Sequence, residues 1–191
     1  MLLLGSRLIG TPVMSLQTGT SLAETKAALI DPSNLKLVAY ELDGPMLAER
    51  PSYLRIADVR ELSGIGMIVD SSDEFIGEDD VIAIKKLKDL GFVLNGMTVV
   101  DEQKHKLGKI EDYSIDTDSF IVQQLTVKRG VIKSLTDTAL LVHRSQIIEI
   151  NDRNIVVKTT AKKLQAVEPP TKLSYVNPFR TTSPQIESSD Q

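Results

Sequence analysis

The chain has 191 residues, 41% of them hydrophobic and 25% charged, with a formal net charge of −4. That is long enough for one large domain or two small ones and apolar enough for a buried core, while the mild acidity rules out phosphate binding through bulk charge. There are no cysteines, which excludes disulfides, thiolate metal sites and cysteine nucleophiles and fits a reducing compartment.

The opening Met1-Leu2-Leu3-Leu4 stops at Gly5-Ser6-Arg7. It lacks the basic start and longer apolar run of a signal peptide. No stretch approaches the roughly 20 apolar residues of a membrane span. The expectation is therefore a cytoplasmic protein without a transmembrane segment.

The pattern then repeats. Gly10-Thr11-Pro12-Val13-Met14 stands beside Gly96-Met97-Thr98-Val99-Val100, and Ile30-Asp31 beside Ile115-Asp116. Leu35, Leu37, Tyr40 and Leu42 match Phe120, Val122, Leu125 and Val127. Gly44 matches Gly130, Glu61-Leu62 matches Glu149-Ile150, and Met67-Ile68-Val69 matches Ile155-Val156-Val157. The offset drifts only from 85 to 88. Preserved order with small drift is the mark of a duplicated unit with loop insertions.

Each copy reads as short strands and turns. In the second, Thr98-Val99-Val100 is a strand, residues 101–106 a polar turn, and residues 107–116 an alternating, half-buried strand. A long strand over 120–127, two more over 138–143 and 146–150, and a turn at 151–154 feeding Ile155-Val156-Val157 complete it. Gly64-Ile65-Gly66 is the equivalent hairpin turn of the first copy. Between the copies, residues 76–91 read as a helix, with Glu78, Asp79 and Asp80 opening it, lysines in its last turn and Gly91 ending it. Val81, Ile84, Leu87 and Leu90 form its apolar stripe. Beyond Glu168-Pro169-Pro170 the composition predicts a disordered tail with one apolar island, Tyr175-Val176-Asn177-Pro178-Phe179-Arg180.

The second copy carries a resemblance. Gly96-Met97-Thr98-Val99-Val100-Asp101, then Lys106-Leu107-Gly108-Lys109-Ile110-Glu111-Asp112, Ile115-Asp116 and the strand over 121–127 resemble the PRC-barrel family. Ile147-Ile148-Glu149-Ile150 with Asn154-Ile155-Val156-Val157 is similar to that family's closing hairpin. The first copy departs further, with Ala23 in the place of Gly108 and Pro32-Ser33-Asn34 in the turn. The resemblance implies a mainly β fold: two small antiparallel PRC-type β-barrels in tandem, over residues 3–75 and 92–166. A helix over 76–91 joins them, and a flexible tail spans 167–191. The family includes the cytoplasmic domain of the photosynthetic reaction-centre H subunit and the C-terminal domain of the ribosome-maturation factor RimM. It therefore implies a non-catalytic docking barrel.

Chemistry-bearing residues are sparse. The histidines, His105 and His143, have no partners at ligand or triad spacing. Asp116-Thr117-Asp118 lacks the glycine and closing glutamate of a calcium loop. No Walker or dinucleotide pattern occurs. Lysines gather at Lys85, Lys86 and Lys88, at Lys104, Lys106 and Lys109, and at Lys128-Arg129 and Lys162-Lys163, without the stacking aromatics of nucleic-acid readers. The expected function is a cytoplasmic adaptor, not an enzyme, with no cofactor and no metal, binding a protein partner. Its candidate surface is Gln103, Lys104, His105, Lys106 and Lys109, with the groove between the barrels beside it. A ribosome- or RNA-associated assembly factor and a membrane-surface protein are the alternatives.

Overall fold

The computed structural model describes residues 1–129 and 139–158. The expectations for Gly130, for Lys162-Lys163 and for the tail lie outside the described residues. The described residues are mainly β, with one short α-helix.

Strand β1 (Leu2–Leu4) is followed by a first run of six: β2 (Pro12–Ser15), β3 (Ser21–Asp31), β4 (Lys36–Asp43), β5 (Ser52–Arg55), β6 (Glu61–Ser63) and β7 (Gly66–Val69). Strand β8 (Phe75–Gly77) and helix α1 (Ile82–Leu90) lead to a second run. It contains β9 (Thr98–Asp101), β10 (Lys106–Asp116), β11 (Ile121–Lys128), β12 (Leu140–His143), β13 (Ile147–Ile150) and β14 (Asn154–Val157). A short 3-10 turn follows both β5 and β12, at Ile56–Asp58 and Arg144–Gln146.

The two runs have one topology. In the first, β2 pairs with β3, β3 with β4, β4 with β5 and β6 with β7, all antiparallel, while β2 and β7 pair in parallel. The second repeats this with β9, β10, β11, β12, β13 and β14. Even the irregularities repeat. The ladder of β3 and β4 shifts register between Thr25 and Ala27 and between Leu29 and Ile30. That of β10 and β11 shifts between Ile110 and Asp112 and between Ser114 and Ile115. A bulge bends a strand and increases its twist, so shared bulges give both copies the same curvature.

The long hairpins turn alike. Leu35 and Phe120 both sit at φ 54°, and their amides donate to the carbonyls of Asp31 (2.7 Å) and Asp116 (2.8 Å). Each Asp carboxylate also takes amides from the turn, Ser33 for Asp31 and Ser119 for Asp116. That Asx geometry is why Asp stands at both positions.

The copies meet at these turns. Ile121 pairs with Lys36 across the start of β11 and β4, and the hydrogen bonds around them are reciprocal. Leu37 N–H donates to the Phe120 carbonyl at 2.8 Å, and Val122 N–H to the Leu35 carbonyl at 3.0 Å. The segment preceding each copy crosses to the other. Strand β1 pairs with β10, and α1 packs on β3. One buried cluster includes Val13, Leu37 and Leu54 from the first copy and Val99, Leu125 and Ile155 from the second.

The helix differs from the sequence expectation. It begins at Ile82, after the N-cap Val81, and no acid occupies its first turn. Residues 75–77 form β8 on the edge of β5 instead. Asp79 and Glu78 pair with Lys85 and Lys88, and the Asp80 carboxylate accepts from the Gly77 amide, so the acids bind the approach to the helix. Only Ile84 of the apolar stripe is fully buried, against Ala39 and Tyr53, while Leu90 is exposed. Among the described residues no helix is long and apolar enough to cross a membrane.

Candidate interaction surface

The turn between β9 and β10 holds four of the five candidate residues: Gln103, Lys104, His105 and, at the head of β10, Lys106. It is fixed from below by Asp101. One Asp101 carboxylate oxygen accepts the amides of Gln103 (2.9 Å) and His105 (2.7 Å), and the other lies 2.9 Å from His105 Nδ1. Lys104 adopts φ 67°, and its amide closes the turn on the Asp101 carbonyl at 3.0 Å. Desolvation acts to raise the Asp101 pKa. The His105 amide and ring and the Gln103 amide outweigh it and hold the carboxyl below its ordinary range. The turn therefore presents Gln103, Lys104 and Lys106 to solvent on a prearranged backbone.

Lys109 lies three residues beyond Lys106 on β10. It stands directly opposite Lys128 in the β10–β11 ladder, and both are exposed. Lys128 reaches Glu111 at 3.5 Å. Like charges directly opposite each other destabilise a strand pair. Exposed Arg129 follows, so this end of the sheet is basic.

The same place in the first copy carries the opposite sign. Glu24 stands directly opposite Asp43 in the β3–β4 ladder, also exposed. The two acids line an open groove of about 600 Å³ with Leu22, Pro45, Met46 and Arg50. Arg50 is engaged by the Gly44 carbonyl at 2.7 Å. Sequence reasoning did not single out Glu24, Asp43 or the Lys109–Lys128 opposition. The signal was in the repeat, since the offset of 85 sets Glu24 on Lys109 and Asp43 on Lys128.

A second groove, of about 400 Å³, runs between the copies and is lined by Pro32, Asn34, Leu35, Ile147 and Ile148. Arg144 spans it, its guanidinium donating to the Asn34 carbonyl at 2.6 Å. His143 serves the chain locally. Its Nδ1 lies 2.8 Å from Ser145 Oγ, and Gln146 Oε1 caps its amide, so it heads the 3-10 turn before β13. Among the described residues no three His, Asp or Glu side chains gather in a way that could hold a metal ion.

No family model matches the chain. No curated protein matches it either. Among solved structures, it is similar to a 16S ribosomal RNA processing protein, RimM, from Pseudomonas aeruginosa, at 17% identity and a TM-score of 0.29, covering 84% of this chain and 99% of the other.

Proposed function

We propose that the chain is a non-catalytic scaffold of two PRC-type barrels that docks a protein partner through its barrel surfaces. The observation that carries this reading is the Asp101-locked turn. A loop already held in one conformation loses little entropy on binding, which is the physical requirement of a docking surface. Each barrel would close by packing its β6–β7 or β13–β14 hairpin over the core, since the hydrogen-bonded path of the described strands is open. Two barrels held in one frame present two surfaces at fixed spacing, which suits a bivalent contact.

The test is affinity purification of the tagged full chain from cell extract, with and without nuclease, beside the variant K104E/K106E. A discrete partner that survives nuclease and is lost with the variant is expected. A variant that retains the same partner moves the docking site off this turn.

The basic end of the sheet favours one other reading, association with RNA. Lys104, Lys106, Lys109, Lys128 and Arg129 are all exposed there. Binding to RNA through them would weaken steeply with added salt, and co-purifying ribosomal proteins would vanish on nuclease treatment.

A further inference from the structure

Glu24 and Asp43 on one copy and Lys109 and Lys128 on the other occupy equivalent ladder positions with opposite charge. The equivalence is tight. Both pairs close the open end of the long hairpin, seven residues along the strand from the Lys36–Ile121 contact. Strands β4 and β11 leave that contact antiparallel, so the two pairs lie at opposite ends of the sheet. At about 3.3 Å per residue, each is about 23 Å along its strand from the centre. The acidic end is a groove with apolar walls, Leu22, Pro45 and the exposed Met46. At the basic end, exposed Arg129 follows Lys128. Each end carries a like-charge pair across the ladder, which an external opposite charge would relieve.

We infer that the acidic groove of one molecule receives the Lys109–Lys128 face of a second copy of this chain. The contact is heterologous, joining different surfaces head to tail, so a joined pair keeps one free acidic and one free basic end. Assembly then grows with concentration into rings or filaments rather than stopping at a symmetric dimer. Arg50 lies in the groove but donates to the Gly44 carbonyl, and Asp43 accepts the Gly44 amide at 3.0 Å, while both acids line the groove and are exposed. Lys128 exchanges its 3.5 Å approach to Glu111 for the partner's acids. Electrostatic pairing of this kind is screened by salt, the Debye length falling to about 3 Å at 1 M. This inference rests on the protein-docking reading and names one partner for it. The two fail separately, because a foreign partner is read by purification and self-assembly by the pure chain alone.

The test is sedimentation of the full chain at low and high salt, with two charge reversals. E24K/D43K carries lysine pairs at both ends, and K109E/K128E carries acid pairs at both ends. The wild type is expected to associate as concentration rises at low salt and to dissociate at high salt. Each reversal alone is expected to lower the association constant about tenfold or more, and the two mixed together to restore it. The neutral variants E24Q/D43N and K109Q/K128Q, expected to stay monomeric, guard against misfolding, with thermal melts checking each protein. A wild type that stays monomeric at low salt, association that survives either reversal, or a mixture that does not associate overturns the proposal.

Discussion

Lys36 pairs across the sheet with Ile121, the residue that holds its own place in the second copy. A residue paired with its own equivalent lies on an approximate twofold axis, as in the isologous contact of a dimer. The reciprocal bonds, Leu37 to Phe120 and Val122 to Leu35, are the two symmetric halves of that contact. The duplication has thus been folded as a dimer within one chain, each copy contributing the strand starts that the other completes.

One consequence is cooperative unfolding. The buried cluster runs through both copies, with Leu54 in the first and Leu125 in the second fully enclosed. A single thermal transition is expected, and Leu54→Ala and Leu125→Ala should each lower it, at a cost of about 2–5 kcal/mol. Differential scanning calorimetry checks this. Two resolved transitions, each sensitive to one substitution only, would show that the copies fold independently.

Gly66 tests the close approach at the hairpin of the first copy. It sits at φ 139°, and a Cβ there would lie 2.2 Å from the Pro12 carbonyl oxygen. Neither the backbone nor the parallel β2–β7 pairing accommodates that. Gly66→Ala should cost about 2–4 kcal/mol in urea unfolding, whereas Gly64→Ala, with open space around its Cβ, should cost well under 1 kcal/mol. Equal effects at the two positions would refute the steric argument.

Much of this frame was legible in the sequence because duplication writes the same periodicity twice. The alternation over 107–116 gave β10, and the repeated Ile-Asp at Ile30-Asp31 and Ile115-Asp116 marked both turns. The linker was read less well. Phe75-Ile76-Gly77 is too short a run to show alternation, and only its pairing with β5 makes it a strand. The acids after it matched helix polarity, yet their partners are Lys85, Lys88 and the Gly77 amide. The repeat aligned Glu24 with Lys109 and Asp43 with Lys128, but that the members of each pair face one another across the ladder was hidden for another reason. Cross-strand neighbours are set by register, and two bulges per long hairpin displace register in a way that spacing alone does not reveal.

Acid should loosen the β9–β10 turn. The Asp101 carboxyl titrates below its ordinary value in the folded chain because the amides and ring of the turn favour its charged form over the opposing desolvation. Asp116 behaves likewise through the Ser119 hydroxyl and amide. A depressed folded pKa gives stability that is present above the unfolded value, about 3.9, and is lost as pH falls through the folded one. Unfolding free energy is therefore expected to decline below about pH 4. Asp101→Asn should flatten part of that decline, and urea titrations across acidic pH would read it. An unchanged slope in the variant removes Asp101 from the linkage.

The two copies should differ most where helix α1 covers only one of them. Tyr53 on β5 is 0% exposed beneath Ile84, with Leu29, Ala39 and Ile76 around it. Its equivalent on β12 is Leu141, which is 55% exposed. The equivalents of Leu29, Val38 and Ala39 are Ser114, Gln123 and Gln124, so these described positions of the second copy are polar where the first copy packs on α1. Tyr53→Ala should cost about 3–5 kcal/mol, while Leu141→Ala should stay within about 0.5 kcal/mol. Ile84→Ala, which opens the same contact from the helix side, should cost about 2–4 kcal/mol and add less than fully to Tyr53→Ala, because the residues touch. Denaturant unfolding of the three single variants and the Tyr53/Ile84 double decides it. Full additivity in the double would mean that α1 does not rest on Tyr53, and a large loss at Leu141 would mean that the second copy buries its β12 face in solution as the first buries β5.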